Sequence, residues 1–419
     1  MSQDSFTFSL ALAKNRNRQT DRLSNLYDQK PIGKGKVPFD KRKEMKSYNL
    51  DYLLEDDNTI RNAIINCCNA KKKKKNQSNN KYYLAKRILN NVDNYIPLLK
   101  QHIKNYIPSK ITTFQIIEKH EGKIRKITTM PLFPDQIIHQ LIVDILKPIF
   151  SKSFYEHSYA SIHGKGTHKA KKFIEKQIKN NPKDFKYISK IDIKKCYQNI
   201  SHELLKSKIR KILRGNKLFN LISKVIDSYN DSSVDNKKFG IPIGFSTSQW
   251  FCNFLLTSLD HYAKQILKIK VYVRYMDDIV SAGRNKKVLH ENQRKIIEYL
   301  SDMELKAKDN YQVFRFNYKS KKNLKEKGRF LDFLGFKFYR NRTTIRKHIF
   351  INIIKQAKFI IKRKSKVSFK VASGYISRFS YVKHTNSFNL FDNYLKRIKI
   401  NKLKEVVSNE SRKLTKAYC

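Results

Sequence analysis

Three aspartates stand beside short apolar runs whose alternation is typical of β-strands. Asp277 and Asp278 are adjacent and lie between two such runs, and Asp192 lies near the end of the run 187–193. Adjacent carboxylates in an apolar hairpin repel each other and lose hydration, so this placement is costly unless a cation compensates. The pattern predicts a carboxylate site for divalent ions, with an ordinary solvated turn as the alternative.

Carboxylate oxygens are the ligands that hard cations such as Mg²⁺ prefer. Two such ions, roughly 3.5–4 Å apart, are a general device for in-line phosphoryl transfer. Asp192 is far from Asp277 along the chain, so only the tertiary fold can bring them together. The residue types therefore predict phosphoryl-transfer chemistry with two Mg²⁺ ions, and with Mn²⁺ as an alternative ion.

The elements that must position these aspartates are interleaved strands and helices, which indicates an α+β fold. Helices are predicted over 58–106 (as two helices around the lysine run 71–75), 135–150, 201–229, 247–266, 286–302 and the tail from 350. Strands are predicted at 112–117, 123–128, 187–193, 271–274, 279–282, 311–316 and 330–339.

Charge is the clearest feature of the composition. The chain of 419 residues carries 89 Lys and Arg against 35 Asp and Glu, a net charge of +54. This excess indicates a polyanionic partner, and nucleic acid is the default. Apolar runs are too short to span a bilayer, the N-terminus lacks the features of a secretory signal, and five cysteines without a C-x-x-C pair argue against disulfides or a zinc cluster. We expect a cytoplasmic protein with no membrane contact.

The order of the sequence blocks resembles that of reverse transcriptases over about residues 58–390. Lys190–Ile200 resembles motif A, Gly240–Gly244 with Ser248-Gln249 resembles motif B, and Tyr275–Asp278 resembles motif C. Further matches are the primer-grip block Phe333–Phe336 and two fingers blocks, Ser158–Ala160 with Gly164–His168, and Lys123–Ile127.

This resemblance implies an α+β right-hand polymerase with fingers, palm and thumb, the palm being an RRM-like antiparallel sheet with helices. It divides the chain into a basic N-terminal arm (1–57), fingers with N-terminal helices (58–185), a palm with motifs A–E (186–345) and a basic helical thumb (346–419). It also implies RNA-directed DNA synthesis from dNTPs, on a structured template or non-coding RNA. The product would be a cDNA/RNA hybrid, and an accessory protein or a second copy of the chain is a further partner.

The family's functional residues map onto this chain one by one. Asp192, Asp277 and Asp278 match the catalytic metal ligands, and Ile193 would add a backbone carbonyl. Nucleotide-binding positions are matched by Lys123, Arg125, Lys126, Tyr197, Ile243, Gly244 and Gln249. Primer and template positions are matched by Tyr275, Met276, Ser248, Phe333, Leu334 and Gly335.

Several of these positions have a second interpretation. Tyr197, which in the family excludes a 2′-hydroxyl, can be an ordinary core tyrosine. The basic residues of 123–126 can be a solvated strand face, and Ser248 with Gln249 can simply cap a helix. The motif D lysine has no clean equivalent, and Lys306 and Lys308 are both candidates.

The branch of the family is left open by the motifs. Ile243-Gly244-x-x-x-Ser248-Gln249 is similar to motif B of the enzymes of diversity-generating retroelements. Antiphage defence reverse transcriptases, which are also compact and basic, are the alternative. A polymerase-inactive RNA-binding scaffold is a third reading, against which the three aspartates argue.

Overall fold

A computed structural model describes residues 47–72, 79–118, 123–234, 237–320, 322, 324–363 and 367–416. Most of the predicted arm, 1–46, lies outside these residues. Its last residues, 47–57, pack against other parts of the described chain: Leu50 and Leu54 are buried in the first hydrophobic core. Tyr48 N–H also donates to the carbonyl of Ile212 at 2.9 Å. No helix among the described residues is both long enough and apolar enough to cross a membrane.

The helices overlap the ranges predicted to be helical, except for Thr167–Asn180, which was not predicted. They are α1 Asp57–Lys72, α2 Asn79–Asn90, α3 Val92–Lys104, α4 Ile137–Ser153, α5 Thr167–Asn180, α6 His202–Arg210, α7 Asn216–Asp227, α8 Ser246–His261, α9 Lys286–Asp302, α10 Lys347–Lys362, α11 Phe369–Lys383 and α12 Ile400–Lys416. Region 58–106 was expected to form two helices and forms three, because the chain also breaks at Asn91, between α2 and α3.

The strands form one main sheet and several small ones. They are β1 Thr112–Glu118, β2 Lys123–Thr129, β3 Tyr187–Asp192, β4 Ser232–Val234, β5 Lys237–Phe239, β6 Val271–Tyr275, β7 Asp278–Gly283, β8 Gln312–Arg315, β9 Tyr318–Lys319, β10 Glu326–Lys327, β11 Leu331–Phe333, β12 Phe336–Phe338 and β13 Thr343–Ile345. The mixture of helices and strands confirms the α+β class.

The main sheet has the strand order β6-β7-β3-β8, and each neighbouring pair is antiparallel. Its side chains alternate between two hydrophobic cores, as the period of a strand requires. Tyr272 and Ile279 enter a core shared with α4, α8 and α9. Val273 and Val280 enter a second core shared with β11–β13 and the C-terminal helices. The sheet is therefore covered on both faces, and its strand ends are what remains to carry a site.

The second strand of the hairpin β1–β2 is hydrogen-bonded to the loop that precedes α8. Thr128 N–H, on β2, donates to the carbonyl of Ile243 at 2.8 Å, and the Thr128 hydroxyl donates to the same oxygen at 2.9 Å. Gly244 makes this contact feasible: its φ is +131°, and an added Cβ would lie 2.3 Å from the Thr128 carbonyl oxygen. Any side chain at Gly244 would separate the hairpin from the loop that precedes α8.

Candidate active site

The sheet brings the three aspartates together. Asp192 is the last residue of β3 and Asp278 is the first of β7, and the two are direct partners in the antiparallel register. Ile193 N–H donates to the carbonyl of Asp277 at 3.0 Å, which ties the turn between β6 and β7 to the end of β3. This meeting of distant residues was predicted from the sequence, and the strand register produces it.

The turn itself is tight. Tyr275 pairs with Asp278, so Met276 and Asp277 form a two-residue hairpin loop. Met276 has a φ of +53°, a left-handed conformation that residues with a Cβ adopt rarely and that is enriched at functional sites. An Arg274 guanidinium N–H donates to the Met276 carbonyl at 3.1 Å and helps to hold this conformation.

The carboxylates are mutually unfavourable in this position. The pKa of Asp278 is raised to about 6, chiefly by burial; Lys190 opposes this shift, and the charges of Asp192 and Asp277 contribute to it. Burial, followed by the charge of Asp192, also raises the pKa of Asp277, while Lys308 and Arg125 oppose the shift. One oxygen of Asp278, Oδ1, is buried without a hydrogen-bond partner. An added cation would relieve each of these costs.

Two lysines supply part of the missing positive charge. Lys308 Nζ lies 2.6 Å from Asp192 Oδ1, and Lys190 Nζ lies 3.7 Å from Asp278 Oδ2. Lys308 was one of two candidates for the motif D lysine, and the structure brings it to the aspartates through its own backbone: Lys308 N–H donates to the Asp192 carbonyl at 2.7 Å. Lys190 was missed as a site residue. Its position two residues before Asp192, on the same strand face, was the available signal.

The fit to a metal ion rests on donor chemistry. Among the residues that the structure describes, no group of three or more His, Cys, Asp or Glu side chains is arranged to hold a metal ion. The aspartates nevertheless offer the hard oxygen donors that Mg²⁺ prefers, at mutually repulsive positions with one unpaired oxygen. Their number and type suit a divalent ion, and the ion's identity and count stay predictions.

Tyr197 lies between the aspartates and the core. It belongs to the 3₁₀ turn Cys196–Asn199, and its hydroxyl lies 3.7 Å from Met276 Sδ. Burial raises the pKa of the hydroxyl, and the thiols of Cys252 and Cys196 add to this shift. The ring packs against the hydrophobic core, and its hydroxyl reaches the hairpin turn. This position is compatible both with an ordinary core tyrosine and with a residue that excludes a 2′-hydroxyl.

The other predicted nucleotide residues lie on β2, in the loop before α8 and on the first turns of α8. Arg125 and Lys126 lie exposed on β2, and the charge of Arg125 acts on Asp277. Lys123 begins β2. Gln249 is exposed on the first turns of α8, after the Ile243-Gly244 loop. Arg125 thus links the hairpin to the aspartates through its charge, while Thr128, Gly244 and Gln249 line a common cavity.

Two predicted primer or template contacts are placed differently from expectation. Ser248 is only 2% exposed, because it lies on the core side of α8, and Phe333 is fully buried, because β11 packs into the second core. Neither side chain can touch a nucleic acid from these positions. In the turn after Phe333, Leu334 is partly exposed and Gly335 is buried. Both have positive φ, at +55° and +87°.

The family model for the reverse transcriptase (RNA-dependent DNA polymerase) matches residues 117–338, more than half of the chain. The group II intron-encoded protein LtrA of Lactococcus lactis is 26% identical over 201 residues, which cover 48% of this chain and 32% of the relative. A putative COX1/OXI3 intron 1 protein of Saccharomyces cerevisiae is 24% identical over 138 residues, 32% of this chain and 16% of the relative.

The chain thus spans about a third or less of the length of these relatives. Among solved structures, the telomerase of Candida tropicalis in complex with a fragment of telomeric RNA has a TM-score of 0.44 and 13% identity, covering 76% of this chain and 62% of that one. The structural likeness is thus remote, whereas the family match spans β2, the main sheet and the blocks that resemble motifs A, B, C and E. The chain belongs to the reverse transcriptase family, and its α+β fold is that of a right-hand polymerase.

Proposed function

We propose that this protein is an RNA-directed DNA polymerase that makes cDNA from a bound, structured RNA. The observation that carries the proposal is the register of β3 and β7, which sets Asp192 opposite Asp278 with Asp277 in the adjoining turn. In the reaction, the primer's 3′-oxygen bonds to the α-phosphorus of a dNTP as the bond to pyrophosphate breaks. The attacking hydroxyl loses a proton and the pyrophosphate accepts one.

Asp192, Asp277 and Asp278, with the backbone carbonyl of Ile193, would hold the divalent ions that reverse transcriptases generally use. When bound, Mg²⁺ (or Mn²⁺) supplies charge stabilisation to both the attacking and the leaving oxygens. The chain's own contribution is a rigid strand register and a low-dielectric surrounding. Both keep the oxygen donors in place without reorganisation during the reaction.

The incoming nucleotide would lie between the hairpin and the loop before α8. Arg125, Lys126 and Lys123 would bind its triphosphate, since Arg grips phosphate in a bidentate manner and Lys acts as a point charge. Ile243, Gly244 and Gln249 would contact the base pair, and Tyr197 would lie beneath the sugar. Tyr275, Met276, Leu334 and Gly335 would guide the primer and template.

Lys308 would donate the proton that the leaving pyrophosphate needs. Its ammonium already lies against Asp192 at 2.6 Å, whereas the carbonyl of Lys306 bonds to Lys194 N–H and continues the strand pairing. The two lysines therefore make a matched pair of variants. Lys308→Ala should lower kcat for nucleotide addition about 10²–10⁴-fold, and Lys306→Ala should lower it far less.

The direct test is extension of a primed RNA template with dNTPs and Mg²⁺. The purified protein should extend the primer, and Asp277→Asn, which keeps the shape and removes the charge, should not. Retained RNA binding by an extension-deficient wild-type protein would instead favour the scaffold reading. Steep salt dependence is expected for that binding, because many of the 54 excess charges would displace counterions from phosphates.

For the biological role, we propose sequence diversification of the diversity-generating type, in the cytoplasm, with an accessory protein or a second copy as partner. The support is Ile243, which stands before the glycine of the motif B block that resembles the enzymes of diversity-generating retroelements. Its carbonyl is held by Thr128, so its apolar side chain has a defined place beside the predicted base pair. An apolar contact discriminates between substrates by only about 1–3 kcal/mol, which favours tolerance of mispairs.

Antiphage defence with a non-coding RNA is the alternative, in which Ile243 is only a packing residue. Misincorporation opposite template A, C, G and U separates the two when the parent is compared with Ile243→Gln. Elevated errors opposite adenine that fall in Ile243→Gln support diversification. Equal error rates at all four bases, unmoved by the substitution, favour defence.

A further inference from the structure

Arg274 is fully buried on the strand that leads into the catalytic turn, with a side-chain exposure of 0%. Its guanidinium makes a bidentate pair with Asp260 of α8: Nε donates to Oδ1 and Nη2 donates to Oδ2, each at 2.7 Å. Its remaining branch, Nη1, donates to Asn253 Oδ1 and to the Met276 carbonyl, each at 3.1 Å. The tip of this arginine therefore joins a helix to the hairpin turn.

The same residues also reach a third segment of the chain. Arg274 N–H donates to the His157 carbonyl at 3.2 Å, and Tyr159 N–H donates to the Arg274 carbonyl at 3.1 Å. Asn253 Nδ2 donates to the Ala160 carbonyl at 2.9 Å. Strand β6, helix α8 and the segment 157–160 are thus linked at one buried point.

The hydrogen bond from Arg274 to the Met276 carbonyl affects the geometry of the site as well as its stability. The Met276 carbonyl belongs to the peptide that links Met276 to Asp277, so its direction is coupled to that of the Asp277 backbone and side chain. Met276 is already held at a φ of +53°, a conformation that persists only where surrounding contacts over-determine it. Without the Arg274 bond, this peptide can rotate and carry the Asp277 carboxylate with it.

We propose that Arg274 is a positioning residue for nucleotide addition, acting through the Met276 carbonyl to orient the Asp277 carboxylate for its cation. Asp260 and Asn253 hold the guanidinium in the required plane. This inference rests on the proposed polymerase function. It assigns a specific role to a side chain that touches neither substrate nor ion.

The test must separate positioning from stability. Replacing a buried ion pair by apolar residues of similar size is often neutral for stability, whereas removing one partner is strongly destabilising. The double variant Arg274→Met with Asp260→Leu should therefore fold, with a Tm near that of the wild type, and still lack the bond to Met276. Arg274→Lys keeps a positive charge for Asp260 but loses the planar guanidinium that reaches both the Asp260 carboxylate and the Met276 carbonyl.

Primer extension and Mg²⁺ binding by calorimetry are measured on each folded variant. We expect extension rates to fall about 100-fold, as for a small misplacement of a reacting group, with a higher Mg²⁺ concentration for half-maximal rate, weaker Mg²⁺ binding and little change in KM for dNTP. Tyr272→Phe is the matched control, since it removes a hydrogen bond to Asp260 and none to Met276. Its rate and Mg²⁺ requirement should stay near wild type.

A folded double variant, or a folded Arg274→Lys variant, with wild-type rate and Mg²⁺ requirement would overturn the inference. If the double variant fails to fold, Arg274→Lys alone decides. A wild-type protein that does not extend a primer would overturn the proposed function instead. In that case, Mg²⁺ binding still shows whether Arg274 orders the carboxylate.

Discussion

Two clusters of charged side chains lie on opposite faces of the β6–β7 hairpin, and they differ in how completely their charges are compensated. Around Arg274 and Asp260, both side chains are fully buried and form an ion pair at 2.7 Å, with Tyr272 and Asn253 completing the hydrogen bonds. Around Asp192, Asp277 and Asp278, three carboxylates meet with two partly exposed lysines, and Asp278 Oδ1 has no partner.

The difference shows how one hairpin serves two purposes. A buried charge without a partner costs several kcal/mol, so a cluster with no further task is expected to be complete, as the Arg274 side is. The aspartate side bears a cost that the folded protein alone does not relieve, and the raised pKa values of Asp277 and Asp278 express that cost. Such a cost is typical of a site that awaits a ligand.

The largest expected effect comes from neutralising the incomplete cluster. Asp277→Asn should lower primer extension by at least about a thousandfold, because it removes an oxygen donor where transition-state charge develops. The same change should leave the free energy of unfolding of the metal-free protein unchanged or higher, because it relieves repulsion with Asp192. Extension assays and urea unfolding on the same preparation measure both effects.

An active Asp277→Asn variant would remove the basis for calling this cluster the active site. Marked destabilisation would show that the carboxylate is a structural partner after all, and would erase the contrast with Arg274.

The opposite result is expected on the other face of the hairpin. Asp260→Asn leaves the Arg274 guanidinium buried with a neutral partner, and breaking such a pair typically costs about 3–5 kcal/mol. Urea unfolding should show this loss with an unchanged slope. A loss below about 1 kcal/mol would mean that the Arg274 cluster tolerates incomplete compensation as well.

The sequence predicted the incomplete cluster better than the complete one. Apolar alternation located β3, β6 and β7, and the motif order paired Asp192 with Asp277 and Asp278. Arg274 adjoins the motif C block but was not predicted as a site residue. Its partner Asp260 lies on another element, and only the crossing of α8 over the sheet brings the two together. Lys190 was missed for the same reason: its interaction with Asp278 depends on strand register.

Burial is the second feature that the sequence did not predict at the site. Ser248 and Phe333 follow the family's motifs in sequence, yet the helix phase of α8 and the packing of β11 turn both side chains into the protein. A motif identifies positions in the sequence, but the direction of each side chain depends on which face of its helix or strand is buried. The break at Asn91 also escaped prediction, because α2 and α3 have similar helical spacing and no proline or glycine separates them.

Tyr197 offers a smaller effect on the incomplete side of the hairpin. If its ring forms the floor of the sugar site, Tyr197→Ala should lower the ratio of kcat/KM for dGTP over GTP about 10- to 200-fold, the range of a steric pocket. Tyr197→Phe keeps the ring and loses only the hydroxyl near Met276 Sδ, so it should keep most of the discrimination. If the alanine variant discriminates as well as the wild type on one primed template, Tyr197 is a core residue.

His139 has one paired and one unpaired ring nitrogen, so its hydrogen bonding is less complete than that of the Arg274 cluster. It gives the smallest expected effect. Its Nδ1 lies 2.8 Å from the Thr247 hydroxyl, while its Nε2 is buried without a partner. Burial lowers the pKa of His139 to about 4, against an opposing effect of Asp135. The unfolded chain binds a proton near pH 6.5 and the folded one only near 4, so the stability that His139 contributes is present above about pH 6.5 and is lost as the pH falls toward 4. By pH 5 the loss should be about 1–2 kcal/mol.

The variant His139→Phe removes this titration, so its free energy of unfolding should fall less than that of the wild type between pH 7 and 5. Parallel pH profiles for the two proteins would mean that the unpaired nitrogen finds a partner when protonated, and His139 would then belong with the compensated groups.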